Sequence, residues 1–272
     1  MKDATMTQPP LVYCTCSLDE HGVATITLDR PPANAVDRAM YIEIATLFSN
    51  PDRLGDVKAI VLAAQGRIFC AGNDLDEFAT MTPDNGAERM WRVREAFFAI
   101  QDCPVPVIGA VQGAALGTGL AIAASCDFVI ASPTAKFGLP ELTVGVMGGA
   151  AHLARLTTQP VVRRMYFTGE PVEARQLAAW GAGIFIHEGD DLLGEARRLA
   201  RRAASFSPTA VRLAKQILNR IETMDLQPGY AFEQGYTVKM SGHPDSKEAL
   251  KAFAEKRAPH YAARDLRRAI EG

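Results

Sequence analysis

The chain is poor in the features that mark several large protein classes. It has no run of about 18 or more apolar residues, so no segment reads as a membrane-spanning helix. Residues 1–10 are polar, with no basic segment leading into an apolar core, so no secretory signal is expected and the predicted location is cytoplasmic. Charge of one sign is scarce too: 29 Lys and Arg face 31 Asp and Glu, a formal net charge of −2, which argues against nucleic acid as a partner. Cysteine is limited to five residues, 14, 16, 70, 103 and 126. Cys14 and Cys16 would share one strand face, but no second pair completes a zinc site, so all five read as reduced, mostly buried thiols and no metal is expected.

What remains is enough for a substantial core: 272 residues, 48% hydrophobic and 22% charged. A short polar tail, 1–10, precedes two strands, Leu11 to Leu18 and Gly22 to Leu28. In the second, Val23, Thr25 and Thr27 alternate with Ala24, Ile26 and Leu28, the period of a half-buried hairpin strand. Asp37 is placed to cap a helix carrying Met40, Ile44 and Leu47 at helical spacing. The continuous apolar segment Val57–Ala63 predicts a strand covered on both faces. The polar stretch Asp76–Asn85 reads as a mobile flap over a site, followed by a helix over about 87–100.

The segment 105–149 organises the rest. It predicts a buried strand over Val107–Val111, a glycine-bearing turn and helix within 112–124, and a second strand over Phe128–Ala131. Val111 to Ala124 carries no charge, so its helix should be buried all round. Glycines at 113, 117 and 119 with no large side chain near the helix start leave backbone N–H groups bare, an anion site in waiting. Glu141, following Pro140 beside that turn, is the candidate base. Beyond residue 150, two short helices split by Pro160, a helix over 172–180, a strand over 183–187 and then four helical patterns predict a layered α/β core, 11–200, with a helical C-terminal module, 201–272. Arg197, Arg198, Arg201 and Arg202 read as one solvated face balanced by nearby acids.

Phe69-Cys70-Ala71-Gly72-Asn73-Asp74-Leu75, then Gln112-Gly113-Ala114-Ala115-Leu116-Gly117-Thr118-Gly119, Cys126-Asp127, Pro140-Glu141, Val144-Gly145 and the closing Ala252-Phe253-Ala254-Glu255-Lys256-Arg257 together resemble the enoyl-CoA hydratase/isomerase, or crotonase, superfamily. The resemblance implies a ββα spiral core, a C-terminal module that trimerises (a homotrimer or a dimer of trimers), an acyl-CoA thioester as substrate and no cofactor beyond that coenzyme A. It also implies an oxyanion hole from the backbone N–H groups of Asn73 and Thr118, the latter standing where relatives usually carry glycine. Ala33, Ala35, Ala71, Gly72, Asp74, Leu75, Gly117, Phe253 and Lys256 fall at substrate- and CoA-contacting positions, the last two often serving a neighbouring subunit.

Hydratases of that family place two glutamates across the substrate double bond. Aligned without gaps, the first position is Ala121 here and the second is Glu141. Addition of water needs one group to activate it and another to protonate carbon, whereas moving a double bond needs one. The expectation is therefore an enoyl-CoA isomerase. The alternatives are a hydratase or lyase with a relocated acid, an acyl-CoA hydrolase, and a non-catalytic acyl-CoA-binding paralogue. Asp74 reads as holding the turn that presents Asn73; Asp76, Glu77 and His152 are left without an assigned role, His152 being weighed as a structural residue against one that lines the acyl pocket.

Overall fold

The computed structural model describes residues 11–261. The predicted tail, 1–10, and the end of the predicted C-terminal module, 262–272, lie outside them.

Strands β1 (Cys14–Leu18) and β2 (Val23–Leu28) pair antiparallel as the predicted hairpin, and helix α1 (Arg38–Ser49) follows. Its cap is Asp37, whose Oδ1 accepts the Met40 N–H at 2.8 Å. From there the chain alternates between two sheets. β3 (Ala59–Ala64), β5 (Val107–Val111), β7 (Phe128–Ala131) and β10 (Ile184–Ile186) extend the hairpin into a six-stranded sheet of order β1-β2-β3-β5-β7-β10. β4 (Ile68–Cys70), β6 (Ala114–Leu116), β8 (Lys136–Gly138) and β9 (Val172–Glu173) form a second sheet in that order. Each turn of this spiral thus places one strand in each sheet, and the central strands of both run parallel.

Between the strands come helices α2 (Leu75–Phe78), α3 (Pro83–Gln101), α4 (Thr118–Ser125), α5 (Ala150–Leu156), α6 (Gln159–Thr168) and α7 (Ala174–Ala179). Helices α8 (Leu192–Ala204), α9 (Pro208–Ile221), α10 (Leu226–Ser241) and α11 (Pro244–Ala254) complete the described chain. The architecture is mixed α/β with a helical C-terminal region, as the resemblance implied.

Period-two alternation sends β3 both ways. Ile60 and Leu62 enter the main core with Phe69, Leu120 and Phe137, while Ala59, Val61 and Ala63 meet Leu192, Ala196 and Ala200 of α8. The expectation of a half-buried β2 does not hold. Its polar face lies under α8, leaving Thr25 only 5% exposed, and Arg197 Nε donates to Thr25 Oγ1 at 3.1 Å. The solvated arginine face is therefore partly a docking face, although Arg198 and Arg201 do pair with Glu195 and Asp19. All five cysteines are free, four of them buried.

The flap differs from expectation as well. Asp76–Asn85 is not irregular: α2 occupies its start, and α3 begins at Pro83 behind Thr82, whose N–H is bonded by Asn85 Oδ1 at 2.8 Å. Arg89 of α3 fastens this segment from below. Its Nη1 donates to the Glu77 carbonyl at 2.8 Å and its guanidinium covers the Phe78 ring at 5.2 Å. Pro160 and Pro228 lie in the first turns of α6 and α10, where the missing N–H costs nothing, so neither breaks a helix.

Candidate active site

The three groups singled out for chemistry hang from one sheet edge. Asn73 follows β4, Thr118 follows β6 and Glu141 follows β8, and those strands are adjacent and parallel. Loops at the carboxyl ends of parallel strands are where such sheets hold ligands.

Asn73 forms an isolated parallel bridge with Val36. Val36 takes both bonds of that bridge, its N–H reaching Gly72 O at 2.9 Å and its carbonyl accepting from Asp74 N–H at 2.9 Å. In a parallel bridge the opposite residue turns its own amide to the other side, so the Asn73 N–H faces away from Val36. Asp74 fixes the turn. Its Oδ1 accepts from Glu77 N–H at 3.0 Å as the cap of α2, and its Oδ2 accepts from Arg30 Nη2 at 2.7 Å. Both bonds hold the carboxyl below its usual range, the Glu77 contact most.

Thr118 is the first residue of α4, and a helix has no internal acceptor for its first N–H groups. Gly117 delivers it with φ +52°, a left-handed backbone that suits glycine. All eight residues of α4 are buried, as its uncharged sequence required. The expectation for the three glycines needs correction: the Gly117 N–H is taken by the Gly138 carbonyl at 2.9 Å, so this glycine shapes the turn rather than donating. A Cβ at Gly113 would collide with the Arg67 carbonyl oxygen and one at Gly119 with the Cys70 carbonyl oxygen, so these two permit close backbone packing.

Glu141 opens a short 3₁₀ turn, Glu141–Val144, that ends at Gly145 in the left-handed region. Its carboxylate lies beside Gly117 and Gly149: Cβ atoms built there would stand 3.0 and 3.5 Å from Oε1. Oε2 is buried with no hydrogen-bond partner among the described residues. Loss of solvent pushes its pKa upward from the ordinary glutamate value, making it a weaker acid and a stronger base. A buried, unpaired carboxylate oxygen is costly unless something uses it.

A cavity of about 640 Å³ gathers these groups, lined by Ala35, Ala71, Gly72, Asn73, Asp74, Leu75, Gly117, Thr118 and Glu141 among others. Ala33 lines the adjoining cleft with Arg30, Ala35 and Asp74. Phe253 and Lys256 are not brought there. Both are exposed, and Phe253 edges a separate hollow with Lys58, Arg202 and Arg257. Asp76 lines the cavity from the exposed side. Glu77 is occupied elsewhere, its Oε2 accepting the Arg38 N–H at 2.6 Å. His152 does not line the cavity but meets Phe97 edge-on at 4.9 Å, and burial lowers its basicity. Ala121, at the first acid position of the hydratases, is 1% exposed inside α4.

One residue that sequence reading passed over is Tyr41, whose hydroxyl donates to Asn73 Oδ1 at 2.6 Å and lies 2.9 Å from Thr118 Oγ1. Its signal was present: Tyr41, Ile44 and Phe48 make an apolar stripe on α1, and a tyrosine on such a stripe must find a partner for its hydroxyl.

Alternating sheets wound into a spiral, with amides and a carboxylate meeting in one cavity, define the crotonase superfamily of acyl-CoA enzymes. Within it the chain belongs to the enoyl-CoA hydratase/isomerase family, whose model matches residues 19–264. It is 35% identical over 247 residues to the (7aS)-7a-methyl-1,5-dioxo-2,3,5,6,7,7a-hexahydro-1H-indene-carboxyl-CoA hydrolase of Rhodococcus jostii, covering 90% of this chain and 95% of that relative. It is 32% identical over 250 residues to the 2,3-dehydroadipyl-CoA hydratase of Escherichia coli, covering 89% and 96%. Among solved structures, an enoyl-CoA hydratase from Bacillus anthracis superposes with a TM-score of 0.86 at 29% identity, covering 93% of this chain and 100% of that one.

Proposed function

We propose that this acyl-CoA enzyme works through a thioester enolate with a single proton carrier, and that it shifts an enoyl-CoA double bond. The observation that carries the proposal is the buried, unpaired Oε2 of Glu141 in the same cavity as Asn73 and Thr118, with alanine at position 121.

The Asn73 and Thr118 N–H groups donate to the thioester oxygen as its charge develops, each such donor lowering the barrier by about 3 kcal/mol. Glu141 removes a proton from C2 of a 3-enoyl-CoA. The electron pair spreads over C1 to C4 and the thioester oxygen, and Glu141 returns the proton to C4, leaving a 2-enoyl-CoA. Burial of the carboxylate makes it a stronger base than an exposed glutamate, which suits abstraction of a weakly acidic C–H.

Hydrolysis is a second reading, favoured by the hydrolase name of the Rhodococcus relative. It also needs one carboxylate. Glu141 takes a proton from water as the water oxygen attacks a 3-oxo carbon, the C2–C3 bond breaks to release C3 as a carboxylic acid and leave a thioester enolate over C1 and C2, and the protonated Glu141 then delivers its proton to C2.

The deciding experiment offers purified protein 3-enoyl-, 2-enoyl- and 3-oxoacyl-CoA and follows products by mass. Conjugated 2-enoyl-CoA from the 3-enoyl thioester, without gain of water, supports isomerisation. Cleaved acid with no free thiol supports the second reading, and hydrated product alone overturns both. Exposed Leu226, Tyr230 and Val238 on α10 support assembly as a trimer or a dimer of trimers, which light scattering would test.

A further inference from the structure

The two amides of the oxyanion hole come from chain segments 45 residues apart in numbering, and their side chains meet at one buried hydroxyl. Tyr41 is 2% exposed, its ring standing edge-on to Phe97 at 6.1 Å. A phenol has one proton. Since that proton goes to Asn73 Oδ1 at 2.6 Å, the Thr118 hydroxyl must be the donor across the 2.9 Å contact, giving a directed relay from Thr118 through Tyr41 to Asn73. Burial keeps the phenol protonated across the working pH range, so the relay does not lapse by ionisation.

We infer that Tyr41 is a positioning residue: with the Thr118 hydroxyl and the Asn73 amide it forms a clamp that sets the spacing of the two amides on the thioester oxygen. The inference rests on the oxyanion-hole reading above and adds to it a role for the side chains of Tyr41 and Thr118, where that reading uses only backbone. It also explains what a hydroxylated residue at 118 contributes. The N–H of residue 118 would be present with any side chain, but only a hydroxyl reaches Tyr41.

Geometry of this kind acts on the transition state. An oxyanion contracts toward its donors and demands tighter placement than a neutral carbonyl. Removing the clamp should therefore lower turnover more than it weakens substrate binding.

The test uses 4-(dimethylamino)cinnamoyl-CoA as a chromophoric thioester, whose absorption moves to longer wavelength when its carbonyl is polarised, alongside steady-state turnover of whichever substrate the wild type accepts. Tyr41→Phe keeps the ring against Phe97 and deletes only the hydroxyl. It is expected to lose most of the red shift and to lower kcat by about ten- to a hundred-fold, with KM nearly unchanged. Thr118→Val should behave likewise, Thr118→Ser, which keeps a hydroxyl, should lose several-fold less than Thr118→Val, and the double variant Tyr41→Phe/Thr118→Val should be no worse than the poorer single one. A wild-type red shift and kcat in Tyr41→Phe, or equal losses in Thr118→Ser and Thr118→Val, overturns the inference. Should Tyr41→Phe not fold, the Ser and Val variants at 118 carry the same comparison. No red shift in the wild type itself would overturn the oxyanion-hole reading, a failure distinct from that of the clamp.

Discussion

Glu141 packs directly against the backbone of Gly117, with its Oε1 only 3.0 Å from where a Cβ at that position would stand. The residue that ushers the chain into α4 is thus also the wall behind the proposed base. Gly117→Ala should displace the carboxylate and strain a backbone at φ +52°. Activity is expected to fall by about a hundred-fold or more, while circular dichroism stays that of the wild type; undiminished turnover would separate Glu141 from the chemistry.

Glu141→Gln should abolish turnover and yet stabilise the protein. The wild type half-buries a carboxylate whose Oε2 has no partner among the described residues, and the amide removes the charge that burial disfavours. The sign follows from the raised folded-state pKa: protonation favours the native form, so this group's stabilising contribution is present at low pH and lost as pH rises through the folded value. The difference between variant and wild type should accordingly shrink on acidification, as denaturant melts at several pH values would show.

The same shift governs rate. With Glu141 as base, activity should fall on the acid side along a single ionisation above the ordinary glutamate value of 4.5. A profile flat down to that value would remove Glu141 as the base.

Asp74→Ala removes both the cap of α2 and the partner of Arg30. About 1 kcal/mol of stability should go with the cap, and the turn bearing Asn73 should loosen, so KM and kcat suffer together. Asp74→Asn, which keeps a capping oxygen, should recover most of the stability.

Lys215 of α9 is 4% exposed and reaches three oxygens of the core: Asp127 Oδ2 at 2.8 Å, Val105 O at 3.1 Å and Ile100 O at 3.4 Å. Lys215→Met should cost about 1–2 kcal/mol, because it removes a buried donor from the Val105 carbonyl and the charge partner of Asp127, whose Oδ2 keeps only the Val107 N–H, with little change in kcat. Urea unfolding measured beside steady-state kinetics would check both halves.

The long apolar strands and the helix caps were readable because burial and capping leave periodic or local marks. Val107–Val111, Phe128–Ala131 and Asp37 fall where their residues required. The second sheet was not readable. Its strands β4, β6 and β8 have three residues each, too few for a period-two signal, and Ala114–Leu116 sat inside what looked like a helix start. Glu141, Asn73 and Thr118 were found through motifs, whereas Tyr41 was hidden because its contacts lie 32 and 77 residues away. The solvated look of Thr25 and Thr27 misled for a related reason: α8, which covers Thr25, comes more than 160 residues later in the chain, and no local pattern reports it.

Asn73, Thr118 and Glu141 each follow a strand of one small ladder, β4, β6 and β8, so a single pairing register sets where all three begin. The segments that wall the rest of the cavity, α2 and the turn after Glu141, belong to no sheet. Exchanging those coverings should retune which acyl chain is admitted while the reaction type is inherited unchanged, so selectivity and chemistry can drift apart over generations of variants.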